Sequence, residues 1–289
     1  MAEVGHKKHY LVTGASGLIG SHLVPELLND YHVTTMGRQK TDQNCAHIYA
    51  DFSKPLRLPC STKKLEGVIH LSQSEHYRLF PERAKEIFDV NVNSTIHLLE
   101  HARSSGANIF IYASSGGVYG VAGGHCNEDA MIEATGDLGF YSSTKIINEI
   151  LTSNYQEYYT VVILRFFFVY GKGQNEAMLV PRLRNMIING EVIHITGAQG
   201  LLINPVHVSD AVKSVLAALH LKSHYKINVA GPEVLGLKDI CKTLGVQVGR
   251  KPELDIIYDS IQERLVGDIS LMGKILIKPN IKFNEGIYI

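Results

Sequence analysis

Thr13-Gly14-Ala15-Ser16-Gly17-Leu18-Ile19-Gly20 decides the fold. It follows the apolar run His9–Thr13 and opens a stretch of helical period, the strand-turn-helix setting that gives a glycine pattern its meaning. Gly14 then permits a tight turn, Gly17 lets the backbone approach a pyrophosphate, and Gly20 allows close packing of helix on strand. An anion would rest on free amides at the positive end of the helix, which makes Gly14, Ser16, Gly17, Leu18, Ile19 and Gly20 a candidate dinucleotide-binding set.

Further along, His32–Met36, Val68–Leu71, Asn108–Ala113 and Val161–Arg165 repeat the short apolar run, separated by longer stretches of helical period. Parallel strands buried on both faces read this way, so the spacing predicts an α/β fold with a doubly wound parallel sheet. Pro81–Arg103 reads as one helix with Ile87, Val90, Ile96, Leu98 and Leu99 on its buried face, and Phe140–Asn154 as another with Ile146, Ile147, Ile150 and Leu151. Pro25 should bend or loosen the first helix. After Gly171 the pattern breaks into shorter pieces, although Val208–Leu219 still reads as a helix and Lys226–Val229 as a strand. We expect a cofactor domain over 1–170, with 204–228 returning to it, and a small C-terminal α/β substrate lobe from 171–203 and 229–289.

Of the 289 residues, 45% are hydrophobic, enough for such a sheet with helices on both faces. Lys+Arg 28 balances Asp+Glu 28 with no basic run, which argues against nucleic acid as a partner. Cys45, Cys60, Cys126 and Cys241 are scattered, and no His/Cys spacing suggests a metal. No apolar run approaches the roughly 20 residues that span a bilayer. We expect no membrane span, no metal and a cytoplasmic location.

A dinucleotide fold selective for NAD places an acid at the end of its second strand, to bind the ribose hydroxyls. Here Gly37 and Arg38 occupy that place. A guanidinium there can hold a ribose phosphate, so NADP is the first expectation and NAD the alternative. Asp51 and Phe52 could hold the adenine, or Asp51 could simply cap a loop. Leu71, where the Val68–Leu71 run ends, joins the cofactor set.

Tyr141-Ser142-Ser143-Thr144-Lys145 sets a phenol and an ammonium on one helical face. The cation favours ionisation of the phenol and makes it usable for proton transfer. Ala113-Ser114-Ser115-Gly116-Gly117-Val118-Tyr119-Gly120 delivers a hydroxyl to the carboxyl edge of the sheet, where such folds bind ligands. Asn91, an amide inside a helix, is a candidate supporting residue.

With Asn91-Val92-Asn93-Ser94-Thr95, Arg165 leading to Gly171, and Val206-His207-Val208-Ser209-Asp210 added, the chain from about Tyr10 onward resembles the extended short-chain dehydrogenase/reductases. Within them it is most similar to the nucleotide-sugar epimerase/dehydratase family, whose best-known member is UDP-galactose 4-epimerase. The resemblance implies a Rossmann-type domain and Ser115, Tyr141 and Lys145 as the catalytic centre. Tyr141 would exchange a proton with the substrate, Ser115 would hydrogen-bond the same oxygen, and Lys145 would hold the nicotinamide ribose, while hydride moves between substrate and nicotinamide. It also implies a homodimer through the helices that carry Asn91 and Tyr141.

The departures from the family pattern narrow the reaction. Gly116 and Gly117 stand where dehydratases of the family carry an Asp-Glu pair, which speaks against water elimination by that route. Phe168 and Ile203 stand where its epimerases contact the nucleotide diphosphate. The substrate diphosphate would then lie near Lys172 or Arg264, with Arg182 and Arg184 as further candidates, or the substrate would be less charged. The leading expectation is an NAD(P)-dependent epimerase or oxidoreductase acting on a nucleotide sugar or another small polar substrate. The alternatives are an NADP-dependent carbonyl reductase of a non-nucleotide substrate and a catalytically silent NAD(P)-binding regulator.

Overall fold

The computed structural model describes residues 7–41, 43–56, 58, 64–120, 125–132, 138–258 and 263–287; Cys60 lies outside them. The chain runs β1 (His9–Thr13), α1 (Leu18–Asp30), β2 (His32–Gly37), β3 (Ala46–Tyr49), β4 (Gly67–His70), α2 (Ala84–Phe88), a π-helical turn (Asp89–Asn93), α3 (Ser94–Ser104) and β5 (Ile109–Ser115). A 3-10 turn (Gly116–Tyr119) leads to β6 (His125–Cys126), α4 (Gly139–Ser153), β7 (Thr160–Phe166), α5 (Leu179–Asn189), β8 (Val192–Thr196), β9 (Leu202–Ile203), α6 (Val208–Ala218) and β10 (Tyr225–Val229). Then come β11 (Leu235–Gly236), α7 (Leu237–Val248), β12 (Glu253–Ile257), β13 (Arg264–Gly267), α8 (Ser270–Ile275) and α9 (Phe283–Gly286).

The main sheet has the order β10-β7-β5-β4-β1-β2-β3. The pairs β1/β2, β1/β4, β2/β3 and β4/β5 are parallel. From β1 the order runs outward in both directions, so the strand order reverses between β1 and β4, where open α/β sheets bind ligands. Leu11, Val68, Phe110, Val161 and Ile163 pack in one core cluster, which explains why these strands read as unbroken apolar runs.

The described residues fall into two compact units. The first is drawn from Met1–Ser114, Ala134–Leu164 and Val215–Lys226, the second from Ser115–Glu133, Arg165–Ser214 and Ile227–Ile289. The second has its own apolar core, with Leu183, Ile187, Ile193, Ile195, Ile203, Ile240 and Leu244. A four-stranded sheet of order β11-β9-β13-β6 and a two-stranded sheet of order β12-β8 belong to it.

Two helices differ from expectation. Pro81–Arg103 is not one helix, because the π-helical turn Asp89–Asn93 separates α2 from α3. Such a turn inserts one residue into the helical ladder, and apolar periodicity carries no sign of it. In α4 half of the expected stripe is turned outward: Ile147 is 37% and Ile150 60% exposed, while Ile146 and Leu151 are half-buried and Leu151 packs against the main core. The helix instead buries Ser142, Thr144, Lys145, Asn148, Glu149 and Thr152. Pro25 lies inside α1 on an exposed position.

Candidate active site

The glycine turn is shaped by close contacts. Gly14 has φ +70, and a Cβ there would lie 2.7 Å from the Ser72 nitrogen. A Cβ on Gly20 would lie within 3 Å of the Gly14 and Ala15 backbone, so α1 meets β1 as only glycine allows. Gly17 caps α1 with no side-chain hydrogen bond, and the first turn carries no acid. The first amides of a helix lack intrahelical acceptors, and Ser16 and Gly17 are exposed beside them. This is the chemistry a pyrophosphate needs, and these residues fit one.

Behind the turn, Thr13 Oγ1 and His70 Nδ1 are 2.8 Å apart, and His70 Nε2 lies 2.9 Å from Thr95 Oγ1. Burial, with the Lys145 charge adding to it, pulls His70 down to about 3. The stability gained by keeping this imidazole neutral is complete above pH 6.5, the ordinary value, and drains as pH falls toward 3. The full loss is about 5 kcal/mol. We expect His70→Gln to flatten the acid limb of a stability-against-pH curve; an unchanged limb would contradict this.

On α4, Lys145 is 2% exposed, and its Nζ donates to the Ala113 carbonyl on β5 at 2.8 Å. The ammonium stands 5.2 Å from the Tyr112 ring centroid and 5.6 Å from that of Tyr141. Burial lowers Lys145 to about 7, opposed by the negative charge of Glu149. Glu149 accepts from Ser114 Oγ at 2.6 Å and pairs with Lys226 at 3.6 Å. The Tyr141 hydroxyl donates to Gln73 Oε1 at 2.8 Å, and its ring lies 4.9 Å from Tyr77.

Asn91, in the π-helical turn, is buried and ties the elements together. Its Oδ1 accepts from the Ser74 amide at 2.8 Å, and its Nδ2 donates to Thr144 Oγ1 at 2.9 Å. Its carbonyl accepts from Asn148 Nδ2 at 2.8 Å. Asn91, Tyr141 and Lys145 therefore stand in one hydrogen-bonded neighbourhood of the first unit. Sequence reasoning missed Gln73, Ser74, Glu149 and Thr144. Only Glu149, one turn past Lys145 on the same helix, carried a usable signal.

Ser115 ends β5, two residues after Ala113, and opens the second unit; its Oγ accepts from the Gly117 amide at 3.1 Å. A Cβ on Gly116 would lie 2.6 Å from the Phe167 ring, and that ring is also 2.9 Å from a Cβ built on Gly267. Phe167 is wedged between the two glycines and is 1% exposed, so it cannot yield. Gly116→Asp should cost about 1–3 kcal/mol by overpacking, read as a lowered thermal midpoint, and Gly116→Asp with Phe167→Leu should recover part of it. An unchanged midpoint for the single variant would count against the wedge.

Of the candidate substrate residues, Phe168 is half-buried and held at φ 43, a left-handed conformation rare for a bulky side chain. Lys172 is exposed. Ile203 is fully buried, packed in the second unit's apolar core on a strand paired with β11 and β13. Arg264 is half-buried, and its Nε has no hydrogen-bond partner among the described residues.

Three residues expected at the cofactor are engaged within the fold. Asp51 Oδ1 accepts from the Ser53 amide and hydroxyl, at 3.1 and 2.7 Å, and its other oxygen pairs with Lys54, the geometry of a loop cap. Phe52 is buried in the core. The Arg38 guanidinium, read from sequence as open to a ribose phosphate, is bound to Glu75 at 3.0 Å.

The NAD dependent epimerase/dehydratase family model matches residues 10–230, and the chain belongs to that family. It is 25% identical to the UDP-glucuronate 4-epimerase of Thermodesulfobacterium geofontis, over 96% of this chain and 94% of the relative. It is 27% identical to the dTDP-D-glucose 4,6-dehydratase of Bos taurus, over 97% and 86%. Among solved structures, MoeE5 in complex with UDP-glucose and NAD is 27% identical with a TM-score of 0.82, covering 97% of this chain and 96% of that one. UDP-glucuronic acid 4-epimerase from Bacillus cereus in complex with NAD is 25% identical, TM-score 0.81, covering 96% of each chain. The protein is an enzyme of an NAD-dependent family with a Rossmann-type sheet, as the glycine turn and the Tyr141/Lys145 pair suggested.

Proposed function

We propose that this chain inverts a carbon of a nucleotide sugar by NAD-dependent hydride transfer, with Tyr141 as the acid–base group. The observation that carries the reading is Lys145, a buried ammonium held by a main-chain carbonyl beneath the Tyr141 ring. Packing alone gives no reason to bury it, because desolvating the charge costs several kcal/mol. Tyr141 moves a proton at the substrate oxygen, Ser115 hydrogen-bonds that oxygen, Lys145 favours the ionised phenol and holds the nicotinamide ribose, and Asn91 fixes the helix that carries both. A nicotinamide dinucleotide seated on Gly14–Gly20 would supply the hydride acceptor.

Epimerisation is favoured over dehydration because Gly116 and Gly117 offer no acid and base, and the Phe167 wedge excludes a side chain at 116. NAD is favoured over the NADP expected from Arg38, since related solved enzymes were captured with NAD. Incubating the protein with NAD and UDP-glucuronic acid or UDP-glucose tests the function: proton NMR should show the epimer accumulate, and no conversion of either sugar would contradict the proposal.

The unpartnered Nε of Arg264 supports its assignment to the substrate diphosphate. Calorimetry with UDP should find binding that weakens about tenfold or more in Arg264→Met, as loss of a charge-assisted contact implies; equal affinity would remove Arg264 from the site. Phe168 favours a second reading, a carbonyl reductase of a less charged substrate, because it puts an apolar ring where the family's epimerases carry a polar group. Exposed Phe88, Ile96, Ile147 and Ile150 on the α2–α4 helices support a homodimer. A cytoplasmic location belongs to the same proposal. No helix among the described residues is long and apolar enough to cross a membrane.

A further inference from the structure

The ion pair of Arg38 lies where it bears on cofactor choice. Register places Thr13 beside Met36 on one side and beside His70 on the other. The loops leaving β2, β1 and β4 therefore rise side by side from one sheet edge, with the glycine turn in the middle. Arg38 stands on the first loop and Glu75 on the third, and their side chains meet at 3.0 Å. The pair thus links the two loops that flank the glycine turn.

More negative charge surrounds it. The Glu75 hydrogen bond holds the Arg38 guanidinium above its ordinary range, and the charges of Asp51 and Glu86 act in the same direction. Glu86 also accepts from His76 Nδ1 at 2.7 Å, if that nitrogen carries the proton, and from Arg83 at 3.4 Å. Lys54 lies 3.4 Å from Asp51.

We propose that Glu75 is the residue that makes this site select NAD over NADP, supplying from the β4 loop the carboxylate that the end of β2 lacks. The inference rests on the reading of Gly14–Gly20 as the pyrophosphate cradle. In such folds the adenosine ribose is read at the end of β2, where Arg38 stands. A ribose with free hydroxyls can donate to Glu75. A ribose phosphate has to take Arg38 from Glu75 and then bring its negative charge up to Glu75, Asp51 and Glu86. Arg38 thereby changes role, from phosphate receptor to the group that positions Glu75. Both side chains are more than half exposed, so the pair itself adds little stability. Its weight lies in which anion it excludes.

Calorimetry of NAD and NADP on protein stripped of nucleotide tests this, with wild type, Glu75→Gln and Arg38→Met side by side. Wild type should bind NAD about tenfold or more tighter than NADP, and the gap should narrow as salt screens the carboxylates. Glu75→Gln should tighten NADP about tenfold while moving NAD by less than about threefold. Arg38→Met should not improve NADP, because the carboxylates remain. A wild-type preference for NADP, or an unchanged ratio in Glu75→Gln, would overturn the proposal. Binding of neither dinucleotide by folded wild type would overturn the cradle reading and the proposal with it.

Discussion

Tyr141→Phe should reduce turnover at least about a hundredfold while leaving NAD affinity within about twofold, since general acid–base catalysis supplies that much and the ring itself is kept. The ring packs against Tyr77 and the Lys145 ammonium, and phenylalanine preserves both contacts. Only the hydroxyl that donates to Gln73 is lost. Steady-state rates with a UDP-sugar, together with NAD calorimetry, check the two halves separately. Retention of more than about a tenth of the rate would remove Tyr141 from the proton-transfer role.

Lys145→Met should abolish activity and yet stabilise the fold. Burial holds this lysine near 7 rather than 10.5. Below pH 7 both the folded and the unfolded chain carry the proton, and the fold bears the whole penalty of about 5 kcal/mol. Between pH 7 and 10.5 the unfolded chain still binds the proton that the folded one has released, so stability rises with pH across that window. Methionine removes the penalty and its pH dependence. It also leaves the Ala113 carbonyl without its ammonium donor, at a cost of about 1–3 kcal/mol. The net expectation at neutral pH is a gain of about 2–4 kcal/mol, and weaker NAD binding. Denaturant unfolding from pH 6 to 10 reads it: a wild-type curve that rises across the window and a flatter, higher curve for the variant. A less stable variant with unchanged slope would mean that Lys145 is held by packing and hydrogen bonds rather than retained against them.

The sheet was legible because its strands are buried on both faces, and Leu11, Val68, Phe110 and Ile163 leave unbroken apolar runs. The glycine turn was legible because steric demands at Gly14 and Gly20 leave no other residue type. Asn91's setting was not, since a one-residue helical insertion has no periodic signature. The outward turn of Ile147 and Ile150 on α4 was not legible for a more instructive reason. Apolar periodicity finds a stripe but not what the stripe faces, and in α4 the face turned inward is the polar one that binds Asn91, Ala113 and Ser114. Gln73 and Glu75 could not be found from sequence, because their partners lie 68 and 37 residues away and pair through the fold alone.

The central claim is that hydride leaves one carbon of the sugar and returns to the same carbon from the other side. A UDP-sugar deuterated at the carbon that inverts, incubated with the protein and NAD in ordinary water, tests it most directly. The account predicts an epimer that keeps its deuterium at that carbon, at a rate slowed by the isotope and lost in Tyr141→Phe. An epimer whose deuterium has exchanged for solvent hydrogen would show proton abstraction instead and contradict the account.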